Sequence, residues 1–359
     1  MSTFLVIIHN CILKVSMIHL IHAEQSLRGF FMIITYHIPS PVCTDNHISP
    51  ICGIAVRIGG IMNYQNFKQH ILAELQTELG SDVKVTIQDI IKNNDTHLDG
   101  LTFLSPKQNL SPTIYLNYYF RQYEKGRSLS DIKQDILSVY RENCPSGRID
   151  ISFFTDYDKI KSRIIFKLIN YERNKELLQK VPHYRFLDLA IVFSCLVEST
   201  PTGNATILIH EHHLDFWNIT RDDLYALAFR NTPKLLQYDL RNMTDLVKEL
   251  FCDEESFSLK DDSSDICPMY VLSNQHKLNG AVCILYQNLL RDFANRLGCD
   301  LYILPSSIHE VLIIPAYNKT DHQELSDMVR DVNSSQLSRE EVLSDHVYYY
   351  SRETCQITM

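Results

Sequence analysis

Two stretches of this chain bring together side chains able to attack a substrate, carry a proton or ligate a metal. In the first, Ser306, Ser307, His309 and Glu310 stand on a short polar connection between two apolar runs, 301–304 and 311–314. A serine nucleophile, a histidine base and an orienting carboxylate are the parts of a hydrolase triad. Spacing works against assembling one locally. On an extended chain Ser307 and His309 share a face with Cα atoms about 6.6 Å apart, and Glu310 points the other way. Pro305 rather than glycine precedes the two serines, so this is not the G-x-S-x-G elbow. Chemistry at His309 therefore requires a remote partner, and Asp345 and His346 in the later Leu-Ser-Asp-His segment have suitable types. The plainer expectation is a structural turn whose serine hydroxyls bind nearby backbone.

The second stretch is His210, Glu211, His212 and His213. Histidine and carboxylate are zinc-ligand types, but Leu214 stands where H-E-x-x-H needs its second histidine. The residues before His210 read as a strand, so these side chains should splay at its end. A solvated run of histidines is expected ahead of a metal site at His210, His212 and His213. Asp156 and Asp158 fit a helix N-terminus, where negative charge is favoured. Asp89, Asp95 and Asp99 lack the glycine and glutamate of an EF-hand. Neither a Walker A sequence nor G-x-G-x-x-G occurs, so the sequence calls for no cofactor.

The elements that must position these residues are legible from periodicity. Phe67, Ile71, Leu75 and Leu79 recur at fours, predicting a helix over 62–79 closed by Gly80. Alternation then predicts strands over 83–91 and 98–104 around an Asn93-Asn94-Asp95 turn. Pro112 introduces a short strand, 113–116. Ser128 with Asp131 forms a capping box for a helix over 129–142, and Thr155 with Asp158 repeats the pattern. A strand over 164–169 alternates Ile164, Phe166 and Leu168 against Ile165, Lys167 and Ile169. Residues 187–197, almost wholly apolar, predict a strand buried on both faces. Thr220 caps a helix over 221–231, and 243–251 is another. Beyond 268 come strands 270–272 and 281–285 and helix 287–297. Strands 301–304 and 311–314, helix 321–333 and strand 346–350 follow. The class is α+β: mixed, mainly antiparallel sheets covered by helices, ending in a β-β-α-β-β-α-β unit.

With 359 residues, 45% hydrophobic and 21% charged, the chain can bury cores without disulfide staples. A net charge of −9 argues against a nucleic-acid partner and against adhesion to an anionic membrane. The ten cysteines show no C-x-x-C spacing, which fits a reduced, cytoplasmic setting.

Residues 1–61 differ from the rest, with thirteen isoleucines and only two acidic residues, Glu24 and Asp45. Lys14, His19 and other polar residues interrupt any signal or membrane segment. Met62 opens a clean helical pattern, and Gly59-Gly60 stand where a ribosome-binding sequence would encode two glycines. The expected organisation is an upstream-translated or disordered extension over 1–61, then an N-terminal α+β region over 62–251. An acidic, serine-rich loop over 252–268 and a C-terminal α+β region over 269–359 complete it.

From Met62 onward an ordered set of segments carries a resemblance. They are Met62-Asn63-Tyr64-Gln65-Asn66-Phe67-Lys68, then Lys92-Asn93-Asn94-Asp95, Leu98-Asp99-Gly100-Leu101, Pro112-Thr113-Ile114-Tyr115-Leu116-Asn117 and Thr155-Asp156-Tyr157-Asp158-Lys159. Toward the C-terminus follow Met269-Tyr270-Val271-Leu272-Ser273-Asn274, Asn279-Gly280-Ala281, Leu304-Pro305-Ser306-Ser307-Ile308-His309-Glu310-Val311 and Leu343-Ser344-Asp345-His346-Val347-Tyr348. The chain resembles domain-of-unknown-function family 5688, found in Gram-positive anaerobic bacteria, over 62–350. The histidine cluster at 210–213 departs from the family pattern. The resemblance implies no known activity. The expected function is that of a binding or interaction protein for an unknown protein or small-molecule ligand. The alternatives are a small-molecule hydrolase using His309 and a metal-binding protein using His210, His212 and His213.

Overall fold

The computed structural model describes residues 62–106, 112–143, 154, 156–200, 203–246, 268–305, 307–317, 322–335 and 337–359. Within them the chain forms two compact units. One holds 62–91 and 97–151; the other holds 92–96 and 152–359.

The smaller unit begins with α1 (Tyr64–Leu79). Asn63 caps it, its side chain accepting the Asn66 N–H at 2.9 Å, a contact worth about 1 kcal/mol. Phe67, Ile71 and Leu75 repeat at fours and are fully buried, each worth roughly 2 kcal/mol. Strands β1 (Lys84–Lys92) and β2 (Thr96–Leu104) form a hairpin, and β3 (Thr113–Tyr115) pairs antiparallel with β2. Helices α2 (Leu116–Glu124) and α3 (Leu129–Asn143) close this core with Leu116, Tyr119, Ile132, Ile136 and Leu137. The Ser128 hydroxyl accepts the Asp131 N–H, as the capping box predicts.

The larger unit opens with the short α4 (Tyr157–Ile160), capped by the Asp156 side chain. Strand β4 (Ile164–Asn170) follows, then α5 (Lys175–Leu178), β5 (His183–Phe186), β6 (Leu189–Thr200) and β7 (Gly203–Leu208). All pairings in this sheet are antiparallel. The central β6 carries β4 on one edge, while β5 and β7 take successive stretches of the other. Helices α6 (Glu211–Trp217) and α7 (Arg221–Leu235) come next, the second in a Thr220–Asp223 capping box. The second sheet has six strands in the order β13-β12-β10-β11-β9-β8. Its members are β8 (Tyr238–Asn242), β9 (Tyr270–Asn274), β10 (Leu301–Leu304), β11 (Val311–Pro315), β12 (Tyr348–Ser351) and β13 (Gln356–Thr358). Helices α8 (Leu289–Leu297) and α9 (His322–Ser335) flank it.

The apolar runs of β10 and β11 are buried on both faces because two cores meet there. Leu301, Ile303, Val311 and Ile313 face a core shared with Phe166, Phe193 and Phe293. Tyr302, Leu304, Leu312 and Ile314 face a second core closed by Leu325, Met328 and Val329 of α9. The architecture is α+β. Residues 281–285, expected as a strand, instead form a 3₁₀ turn, Gly280–Leu285. Burial on every side makes such a run indistinguishable from a strand by periodicity. Strands β5, β8 and β13 carry no clear alternation and escape the same reading. Residues 247–251 of the expected 243–251 helix, Thr155, and 252–267 of the acidic loop lie outside the described residues. So do 1–61, with the extension expected there. Strands β8 and β9, on either side of that loop, pair in register from Tyr238↔Asn274 to Asn242↔Tyr270.

Candidate functional site

The connection from β10 to β11 is a corner held by main-chain bonds. The Ser344 N–H donates to the Pro305 carbonyl at 3.0 Å, and the Ile308 N–H donates to the Glu341 carbonyl at 2.9 Å. Ser307 bridges Val342 in antiparallel fashion. The two segments singled out in the sequence, around His309 and around Asp345, are therefore neighbours. Gly280 seats the corner from a third side. Its missing side chain is required, since a Cβ there would stand 2.4 Å from the His309 carbonyl oxygen. That oxygen accepts the Ser273 hydroxyl at 2.7 Å.

The reactive types at the corner are engaged in holding it. Ser307 is buried, and its hydroxyl accepts the His309 N–H at 3.0 Å, closing a serine turn. His309 is half-buried, with Nδ1 3.3 Å from the Lys277 carbonyl. Glu310 is half-buried as well. Ser306 lies outside the described residues. In the adjoining segment the Ser344 hydroxyl donates to Asp188 at 2.6 Å and accepts the His346 N–H at 3.0 Å. The Tyr348 hydroxyl donates to the same carboxylate at 2.5 Å. Burial, with Asp188 beside it, holds the Tyr348 phenol well above its ordinary range. Asp345 binds Arg173 at 2.5 Å and accepts from Asn333 at 2.8 Å, while His346 is exposed.

Buried asparagines complete this lattice. Asn170 Nδ2 donates to the Leu343 carbonyl at 2.9 Å, and Asn94 Nδ2 to the Val342 carbonyl at 2.7 Å. Asn94 adopts a left-handed φ of 59°, which asparagine tolerates better than most residues. Its N–H donates to Asn174 Oδ1 at 2.7 Å. Asp95 accepts the N–H groups of Glu176 and Leu177 and thereby caps α5.

The histidines serve the start of α6. His213 Nδ1 accepts the His210 N–H at 3.0 Å, and the His213 ring lies 5.4 Å from Trp217 between centroids. Burial, with His212 and His210 nearby, pushes His213 down to about 4. Among the described residues no group of three or more His, Cys, Asp or Glu is placed to hold a metal ion. The thiols of Cys195 and Cys283 are buried and pushed up to about 12 by that burial, which leaves them unreactive.

A further cluster escaped the sequence reading. In β4, Phe166 and Leu168 face the main core, so Lys167 faces the opposite side of the sheet. Register places Lys167 opposite Val192, and Val192 opposite His183, in one row across three strands. One rung along the same face are Ile165 and its partner Ser194. Lys167 is partly buried, and among the described residues its amine has no hydrogen-bond or carboxylate partner. Ser194 is 2% exposed, and its hydroxyl has no hydrogen-bond partner among the described residues. The 3₁₀ turn Asn93–Asp95 packs on β4 and brings up a second amine, Lys92. Burial, and next the charge of Lys92, push the Lys167 amine down to about 8 from the ordinary 10.5. Burial lowers Lys92 too, opposed by Glu340. Lys167 thus shares an apolar sheet face with a buried hydroxyl, within electrostatic reach of a second amine. The one available signal was Lys167 itself, a lone cation in a strand apolar on both faces.

Residues 64–352 match the model of a protein family described as a family of unknown function (DUF5688). No curated protein and no solved structure matches the chain. No helix among the described residues is long and apolar enough to cross a membrane.

Proposed function

We propose, for a chain that belongs to the DUF5688 family of unknown function, that it is a binding protein for a small anionic molecule, held at Lys167 and Lys92. The observation that carries this is the Lys167 amine, set among buried apolar residues of its sheet face, within electrostatic reach of Lys92, and with no carboxylate partner among the described residues. Bringing like charges together out of water is costly. A carboxylate or phosphate between the amines would offset that cost, and the Ser194 hydroxyl would gain a partner. Val192, fully buried on the same face, and the aliphatic lysine stems would line the apolar side of such a ligand. The lack of a C-x-x-C spacing and the free thiols of Cys195, Cys283, Cys299 and Cys355 support a cytoplasmic setting for this activity.

The test is thermal unfolding with increasing inorganic phosphate or pyruvate at fixed ionic strength. A ligand that binds only the folded state raises Tm with its concentration, adding about 2.7 kcal/mol of stability at one hundred times Kd. The rise is expected in the native sequence and absent in Lys167→Met. Equal rises in both proteins, or none in either, would overturn the reading.

A second reading assigns protein recognition to the corner at 305–310. It is supported by a backbone pinned by the Ser344, Ser273 and Ala281 bonds, which would present His309 and Glu310 at little entropic cost. His309→Ala leaves the lysine face untouched, so anion binding should persist in that variant; its loss would count against the anion reading.

A further inference from the structure

Anion binding uses only the charge of the two lysines; their chemistry allows more. We propose that Lys167 is a nucleophilic amine that captures a small aldehyde or ketone bearing an anionic group, with Lys92 holding the anion. The inference rests on the anion-binding reading above and names the class of molecule held.

The placement supports it in three ways. Lys167 stands mid-strand with its backbone fixed by pairing to β6, so its amine is delivered to one place. Its surroundings are apolar: Ile165 and Ile169 on its own strand are 2% and 1% exposed, and Val192 opposite is fully buried. Burial, and next the charge of Lys92, push the Lys167 amine down to about 8, so near neutral pH a larger share of it is free base than of an ordinary lysine. The Ser194 hydroxyl, one rung away on the same face, lies at the diagonal separation of roughly 7–8 Å that a long side chain spans. Among the described residues, other charged or titratable groups near the row include His183 opposite Val192, Arg185 two residues further along β5, Tyr171 beside both, and Glu340 acting on Lys92.

The step balances without an oxidant or a reductant. The free amine of Lys167 donates its electron pair to the carbonyl carbon, and the carbonyl π pair moves to oxygen, which takes a proton. The nitrogen of this carbinolamine then expels that oxygen as water, forming the carbon–nitrogen double bond. Amine and carbonyl become imine and water. Ser194 is positioned to hydrogen-bond the departing oxygen, the partner its hydroxyl lacks.

The experiment uses the full chain with glyoxylate as the probe and sodium cyanoborohydride as the trap. The adduct is located by peptide mass mapping. At pH 7.5 the reduced adduct is expected on Lys167, forming about 10-fold or more faster than on the exposed Lys159 and Lys161, because more of its amine is free base. Lys167→Met should remove that adduct, and Lys92→Gln, which keeps the nucleophile but removes the neighbouring charge, should slow it. Inorganic phosphate should protect Lys167. Adducts spread over the exposed lysines, with Lys167 no faster, would overturn the inference even if phosphate binds. A fast Lys167 adduct that phosphate does not slow would overturn the anion-binding reading and the role of Lys92, leaving a reactive amine alone.

Discussion

Replacing Lys167 with methionine should make the protein more stable at neutral pH. Methionine keeps the unbranched stem and its packing but removes the charge. Lys167 titrates at about 8 in the folded chain against 10.5 for an ordinary lysine. At 1.36 kcal/mol per pH unit the charged amine costs the fold about 3 kcal/mol below pH 8. The sign follows from proton binding. Between 8 and 10.5 the unfolded chain holds the proton and the folded chain does not, so native stability rises with pH across that window. Above 10.5 both states are neutral and the penalty is gone. Urea unfolding of the native protein and Lys167→Met at pH 7 and pH 10 measures the difference. The variant should gain about 3 kcal/mol at pH 7 and much less at pH 10. A destabilised variant, or a gain of equal size at both pH values, would refute the account of a desolvated cation on this face.

Other expectations can be checked on the same unfolding curves. Ser194→Ala should leave stability unchanged or raise it by up to about 1 kcal/mol, because the hydroxyl it removes has no partner; a loss of phosphate binding alongside would mark Ser194 as a ligand contact. Asp188→Ala should cost about 3 kcal/mol, since it strands the Ser344 and Tyr348 hydroxyls, whereas Tyr348→Phe should cost about 1 kcal/mol. Gly280→Ala should cost about 2 kcal/mol or more, and hydrogen exchange should show faster opening at Ile308 and His309, because the new Cβ collides with backbone. Acid should destabilise the protein as pH falls from 6.5 toward 4, with part of the effect absent in His213→Phe, because His213 stays neutral in the folded state across that window.

How far the sequence speaks depends on how local the controlling interaction is. The β10–β11 corner is legible because two apolar runs and a Pro-Ser-Ser break are contiguous, and the same holds for the Thr220–Asp223 capping box. Residue type alone offers Asp345 and His346 as remote partners for His309, but the Ser344–Pro305 bond that makes the two segments adjoin is a matter of tertiary pairing. Residues 281–285 read as a strand, whereas the 3₁₀ backbone there follows from Asn279 in the left-handed region and from the close seat of Gly280. A continuous apolar run records neither. The lysine face was illegible for a different reason. Lys167 is a lone cation in a strand otherwise apolar on both faces, and Lys92 is seventy-five positions earlier in the chain. Only the packing of the 92–96 turn on β4 makes the two amines neighbours.

That turn has a consequence for the order in which the chain is made. Asn94 binds the Val342 carbonyl across 248 positions of sequence, and Asn93 binds the Glu340 carbonyl across 247. A ribosome adding roughly 5–20 residues per second needs about 12–50 s to deliver those carbonyls after Asn94 is made. Through that interval the side-chain amides of Asn93 and Asn94 lack those two acceptors, while the bonds of Asn94 and Asp95 to Asn174, Glu176 and Leu177 can already form. Ribosome-bound chains that stop before Val342 should therefore be cut by protease near 92–96, and chains released with the final β12–β13 hairpin should not.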